Sequence, residues 1–532
     1  MPAPAAPGRS ETLMSRISGS SHGSVIDWIV GILFVAALWP LGLIDIVPMT
    51  DYVNHLARMH LLAAAGTPDA NPYYDITWKL YPNLAVDLLV PPLARLMSLE
   101  TALKLFFGVS EFLIVSGAIA LERQIHGRHL VSGLIALLVL FNVVFHWGLL
   151  NFEFAVGIAL WAIAIWIKLR DAVWTRRLLA HTLFVAALFL SHFFALGLYG
   201  LTIGLLELSA LAHRQWDSRR TAGLLAVMAG PVIVLLGVMH VSGGAIGGHT
   251  NIWDWRAKLL WPLSFLNGYV VVYSMFALVV LVILIAFLRW KGAIALSATG
   301  RWIAAGFALT YVAMPRQLFD TDLVDVRVLV GAALILPAFV TIRNNGGRYK
   351  TIALVCTMAL ISLNLVFVQS VWLSYRSDYR EMQASFRMLT PNTRVVTALG
   401  DADSGFDALL FPIHYGPTLA AYQRHVFVPQ LYTSAGIQPL SGAASVRRLA
   451  ITDTTRYRLS PVSLFKNIAE GHIGDGDPTY LKTWAADYDY LYLTGPHTPN
   501  PLPRLLTELM TASRFTLYKI THDSPPPATP SD

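Results

Sequence analysis

Charge is what this sequence has least of. Asp, Glu, Lys and Arg make up 13% of its 532 residues, about half of the roughly 25% found in soluble domains. The chain is 55% apolar and has a mean hydropathy of +0.55. Too little polar surface is available for a water-soluble enzyme, so the chain reads as a polytopic membrane protein. Cysteine is nearly absent as well. Cys356 stands alone inside an apolar run, which excludes an intrachain disulfide framework and a cysteine-based zinc site. The HExxH and Walker A patterns are missing. The glycine-rich stretch 243–251, "GGAIGGHTN", follows an apolar span with no βαβ context, which argues against a dinucleotide site and for a mobile loop. The net charge of +7 is modest, and no nucleic-acid partner is expected.

What is present is a series of apolar runs of the length that crosses a bilayer, about 17 to 25 residues each. They cover 26–47, 101–121, 130–149, 153–169, 178–194, 196–212, 221–241, 269–289, 301–315, 326–342 and 351–371, about eleven spans. The break at Ser191-His192-Phe193 is the least marked. Basic residues fall in every second connection: Arg9 and Arg16, Arg123 and Arg128, Lys168 to Arg177, Arg214 to Arg220, Arg289 to Arg301, and Arg343 to Lys350. The positive-inside rule then places the N-terminus in the cytoplasm. Segments 48–100, 242–268, 315–327 and the tail from about 372 fall outside. The first 24 residues, rich in Pro, Ala, Gly and Ser, are expected to be disordered. The bundle covers 25–371.

The tail has a different composition. Segments 393–399, 424–431, 488–495 and 515–520 read as strands, and 501–514 reads as an amphipathic helix. An extracytoplasmic α/β domain over 372–521 is expected, with 522–532 disordered.

Unusual polar chemistry gathers just after the first span, in "PMTDYVNHLAR" (48–58). If 51–65 is helical, Asp51, Asn54, His55 and Arg58 share one face, and Val53, Leu56, Ala57 and Leu61 form an apolar stripe. This describes a helix lying at the membrane surface. The remainder of the loop, "NPYYDITWKLYPNLAVDLLVPPLARL", is too interrupted by proline to span. It carries interfacial aromatics with Asp75 and Asp87. About fifty apolar and aromatic residues are far more than a simple turn requires.

An acid just past the first span, followed by a surface helix in the first outer loop, resembles the GT-C superfamily of integral-membrane glycosyltransferases, which includes protein O-mannosyltransferases and lipid A aminoarabinose transferases. The segments "TDYVNHLAR", "YPNLAVDLL", "HWGLLNFEFAVGIAL" (146–160) and "LSHFFAL" (190–196) carry the resemblance, together with an outer domain after the last span. The resemblance implies a polyprenyl-phosphate sugar donor held among membrane lipids and an extracytoplasmic glycan, lipid or protein acceptor. It makes Asp51 the general base. A carboxylate can take the acceptor hydroxyl's proton, and the departing lipid phosphate needs cations. Arg58, Arg316 and Arg327 are the candidates for that grip. His55, Asp87 and His192 are candidate supporting or substrate-binding residues. A second acid of the first loop would be Asp45, Asp75 or Asp87, with Asp87 favoured by its apolar setting. Asp325 is a candidate partner for Arg327. Glu111, inside the second span, is a functional candidate by its location, and Glu153 suits a helix start. Divalent metal serves parts of the superfamily, but no ligand cluster stands out, and neither metal nor other cofactor is expected. The competing readings are a lipid or polysaccharide transporter or flippase, and a non-catalytic partner in surface polysaccharide assembly. Transporters place binding residues at the midplane in repeated, broken helices, whereas the polar groups here collect at one interface.

Overall fold

The computed structural model describes residues 11–129, 131–215, 217–243, 251–319, 321–343, 347–400, 412–431, 433, 438–451, 459–496 and 498–522. The helices in chain order are α1 (Glu11–Leu38), α2 (Tyr52–Ala64), α3 (Ala85–Leu93), α4 (Leu99–His126), α5 (Ser132–Val139), α6 (Val143–His146), α7 (Leu150–Lys168), α8 (Trp174–Ser191), α9 (Phe193–Ala212), α10 (Ser218–Val241), α11 (Trp255–Ser264), α12 (Val271–Trp290), α13 (Ala298–Ala313), α14 (Val324–Ile335) and α15 (Gly347–Ser385). Among the described residues, α1, α4, α7, α9, α10, α12 and α15 are both long and apolar enough to cross a bilayer. The other four expected spans are also helical, but shorter, broken or, in α8, less apolar. Residues 130–149 form α5 and α6, and 326–342 is α14 followed by a 3-10 turn at Leu336–Phe339. The protein is a polytopic helical membrane protein with a sheet-containing tail.

Pro40 ends the first helix early: α1 stops at Leu38 and a 3-10 turn spans Trp39–Gly42. Residues 43–47, expected inside the span, instead lead irregularly toward Asp51. At its other end α1 begins at Glu11, within the stretch expected to be disordered. Residues 1–10 and 523–532 lie outside the described residues, as does most of the glycine-rich stretch 243–251.

Contacts sort the connections into two ends, in the order the alternating basic loops require. At one end Asp27 pairs with Arg123 and His129, Arg177 with Glu207, and strand β2 (Ile294–Leu296) with β3 (Val340–Ile342). At the other, Arg316 pairs with Asp254 and Ile252 bridges to Gln317. The first loop and the tail also meet at this end. Strand β1 (Tyr74–Ile76) is antiparallel to β5 (Leu440–Gly442), and the Asn71 amide donates to the Ala421 and Val426 carbonyls at 2.6 and 3.1 Å.

The tail carries a five-stranded sheet built from β4 (Val395–Leu399), β6 (Ser460–Pro461), β7 (Tyr490–Thr494), β8 (Leu506–Thr511) and β9 (Phe515–Ile520), in the order β6-β4-β7-β9-β8. Two expectations fail here. In place of the helix expected over 501–514 the segment holds turns and strand β8, paired antiparallel to β9 with an irregularity between Glu508 and Met510. Strand β9 is buried along most of its length, so the backbone groups on its outer edge need a partner, and that need overrides the helical pattern. The strand expected over 424–431 makes a single bridge, Arg394 to Phe427. First-loop side chains occupy its backbone instead: Asn71 on the Val426 carbonyl and Tyr74 on both polar groups of Val428.

Candidate functional site

The four sequence segments that carry the family resemblance converge on one place. The chain leaves α1 in an irregular run whose Thr50 and Asp51 amides donate to the His146 and Trp147 carbonyls at 3.1 and 3.0 Å. Gly148 makes this approach feasible. Its φ is +76°, and a Cβ there would lie 3.0 Å from the Tyr52 nitrogen and 3.1 Å from that of Asp51. Asn151 holds α3 in place, accepting from the Val86 amide at 2.8 Å and donating to the Asn83 carbonyl at 3.0 Å. The break between α8 and α9 is real. His192 is extended there, and the first loop inserts beside it through Leu84 N–H to the Leu190 carbonyl, 2.7 Å, and Phe193 N–H to the Pro82 carbonyl, 3.3 Å.

Asp51 sits at the N-cap of α2 and is 5% exposed. The sequence pattern places this helix at the membrane surface. Instead Tyr52 through Met59 are all buried, because the tail packs on the helix from two sides: Gln438 accepts from Arg58 on the polar face at 3.0 Å, and Tyr422 stacks on His60, on the opposite side, with ring centres 3.7 Å apart.

Arg327, at the start of α14, is a cation within the field of Asp51; Asp322 and Glu153 also attract it. Its Nη1 lies 2.9 Å from His192 Nε2 and its Nη2 donates to the Asp322 carbonyl at 3.1 Å. The Phe152 and Phe194 rings flank it at 5.3 Å each. Its Nε is buried without a hydrogen-bond partner among the described residues. The same is true of Thr50 Oγ1, the Tyr52 hydroxyl, both amide atoms of Asn54 and Trp147 Nε1. Leaving such groups unsatisfied costs about 1–3 kcal/mol each. Several such groups on the residues that flank Asp51 in the chain or hold its backbone suit a polar ligand there.

The other candidates fall elsewhere. Arg58 forms a buried two-pronged ion pair with Asp87, Nε to Oδ1 at 2.9 Å and Nη2 to Oδ2 at 3.0 Å. Burial raises the Asp87 carboxyl above its ordinary range, with the Arg58 guanidinium pulling against that rise. Of the three acids weighed as a second first-loop carboxylate, Asp45 and Asp75 are exposed and Asp87 is buried. His55 lies within 3.3 Å of Arg58. Burial and that cation hold its imidazole well below the usual range, against a hydrogen bond to the Gly148 backbone. Arg316 is taken up by Asp254 and Asp322 at 3.1 and 3.2 Å. Asp325 does not pair with Arg327. It meets Lys258 at 3.2 Å, a buried lysine that also donates to the Tyr311 and Met314 carbonyls at 2.8 and 2.7 Å. Neither Lys258 nor Asp322 stood out in the sequence; a lone lysine in the Trp-rich apolar run "WDWRAKLLWPL" was the available signal. Neither carboxylate oxygen of Glu111 has a hydrogen-bond partner among the described residues, and its electrostatic neighbour is Glu153.

No family model matches the chain, and no curated protein matches it. A solved structure does. ArnT from Cupriavidus metallidurans, crystallised bound to undecaprenyl phosphate, is similar over 93% of this chain and 98% of its own, with a TM-score of 0.50 at 10% identity. The chain therefore shares the fold of that ArnT over nearly its whole length, tail included.

Proposed function

We propose that this fold serves as a membrane glycosyltransferase, moving a sugar from a polyprenyl-phosphate donor to an extracytoplasmic acceptor. The observation that carries the reading is the buried Asp51 carboxylate within the field of the buried Arg327 guanidinium, at the end of the bundle where the first loop and the tail meet. The ArnT likeness supports a lipid-phosphate ligand, since the related structure holds undecaprenyl phosphate.

In this reading Asp51 accepts the proton of the acceptor hydroxyl as its oxygen bonds to the anomeric carbon. The bond from that carbon to the phosphate oxygen breaks, and the lipid phosphate leaves with the electron pair. Arg327 stabilises the departing charge, and its unpartnered Nε is a free donor for it. His192 fixes the guanidinium from one side, and Asp322, itself held by Arg316, from the other. Asp87 and His55 act through Arg58 to fix α2. The site end of the bundle faces away from the cytoplasm of a plasma membrane, and residues 372–521 form the extracytoplasmic domain.

The test uses the purified full-length protein in detergent with a synthetic polyprenyl-phosphate sugar and candidate acceptors. Asp51→Asn is expected to reduce transfer by about 10²–10⁴-fold, the usual contribution of a positioned base, with unchanged thermal stability. Arg327→Gln should chiefly weaken the lipid donor. Full turnover by Asp51→Asn, or absence of any transfer by the wild type across lipid-phosphate sugars, would sink the assignment.

A further inference from the structure

A second cationic site lies farther along the last helix. Arg380, Gln383, Ala384 and Arg387 fall at i, i+3, i+4 and i+7, so the end of α15 and the 3-10 turn after it, Phe386–Met388, present them on one face. Opposite them the tail supplies Gln423 and Arg424. Together with Phe386 these residues line a cavity of about 400 Å³. Three guanidinium groups and two amides line it, and no carboxylate does. Arg424 is fixed in place, its Nε and Nη2 donating to the Leu389 carbonyl at 3.1 and 2.7 Å. Arg380 and Arg387 are exposed, and among the described residues neither has an acidic partner. Like charges gathered without a counter-ion repel one another, and planar guanidinium forks suit oxyanions best.

Height decides which oxyanion. Trp372 lies level with the start of the site: its indole N–H donates to the Tyr269 hydroxyl at 2.9 Å, and that hydroxyl donates to the Pro48 carbonyl at 2.7 Å. At 1.5 Å of rise per residue, Arg380 is about 12 Å and Arg387 about 22 Å beyond that level. The headgroup layer adds only about 5–8 Å to each side of the hydrocarbon core. Along the α15 axis the cavity thus begins farther from the level of the site than the headgroup layer is thick.

We propose that this cavity is a binding site for a multiply charged oxyanion of phosphate or carboxylate chemistry, presented from water above the headgroups. The site is separate from the Asp51 centre and requires no catalytic turnover.

The experiment uses the full-length protein in nanodiscs of neutral phosphatidylcholine, titrated with inorganic tripolyphosphate by calorimetry. Saturable, salt-sensitive binding is expected. It should weaken about tenfold or more in Arg380→Ser/Arg387→Ser, the loss expected when charge-assisted bonds are removed. It should persist in Arg301→Ser, an exposed cation of the opposite end. The substituted arginines are exposed, and an unchanged melting temperature checks the fold. No saturable binding at millimolar probe, or equal affinity in the double variant, would overturn the site. Displacement of the probe by phosphatidylglycerol added to the discs would overturn the water-borne ligand. Since no sugar donor is present, failure here is distinguishable from failure of the glycosyltransferase reading.

Discussion

Arg58 and Asp87 form a two-pronged ion pair, at 2.9 and 3.0 Å, with both residues almost wholly buried. The pair ties α2 to α3, and Gln438 ties the same guanidinium to the tail. Removing one member strands the other's charge, which costs about 3–5 kcal/mol. Arg58→Ala and Asp87→Asn are therefore expected to lower the melting temperature sharply. Arg58→Met combined with Asp87→Leu should recover most of the loss, because an apolar replacement strands no charge. A double variant as unstable as the sum of the singles would contradict this account.

Gly148 offers a sharper probe of the site because it changes no charge. Its positive φ and the backbone nitrogens of Asp51 and Tyr52 about 3 Å from a would-be Cβ leave no room for a side chain. Gly148→Ala should destabilise the protein by about 2–5 kcal/mol, the sum of left-handed strain and a forced shift. Because the shift falls on the Asp51 backbone, turnover should drop at temperatures where the variant remains folded. Normal kcat in a destabilised variant would separate this turn from the site.

His55 gives a pH dependence with a definite sign. Its folded-state pKa lies well below the ordinary value because burial and Arg58 disfavour the imidazolium. Below about pH 6.5 the unfolded chain binds a proton that the folded one does not, so stability falls as the pH falls. In His55→Gln this term is missing. The variant should be less stable than wild type at pH 7.5, and the gap should narrow by at most about 1.4 kcal/mol per pH unit below 6.5. Melting temperatures from pH 7.5 to 5 measure it; a gap that widens on acidification would reverse the sign.

Most of the spans and the two ends of the bundle were legible because each rests on local pattern: apolar length and alternating basic loops. The failures share one cause, tertiary partners that no window of sequence contains. Helix α2 reads as a surface helix until the tail returns to pack on it, Gln438 on Arg58 and Tyr422 on His60. Strand β8 reads as helix until β9 demands an edge partner. The pairing of Asp325 with Arg327 was excluded by geometry available at the outset: residues two apart on a helix do not face each other, and Asp325 turns instead to Lys258. Arg58 reads as a phosphate ligand from its charge, yet its partner Asp87 lies 29 residues on, across a loop.

The union of the first loop with the tail makes the side of the membrane testable. Asp75 and Ser441 are directly paired across the antiparallel β1–β5 ladder, where opposed Cβ atoms lie about 4.5–5.5 Å apart, close to disulfide range. The sequence contains one cysteine, Cys356, so a Cys356→Ser background carrying Asp75→Cys and Ser441→Cys has a single choice of intrachain bond. Disulfides persist in extracytoplasmic compartments and are reduced in the cytoplasm. If this end of the bundle faces away from the cytoplasm, the pair should oxidise during expression, and non-reducing electrophoresis should show a faster-migrating band that a reductant removes. Two free thiols in cells, together with ready closure after purification under oxidant, would confirm the ladder and reverse the proposed orientation. Failure to close under either condition would count against the ladder itself, and with it the tail's position over α2.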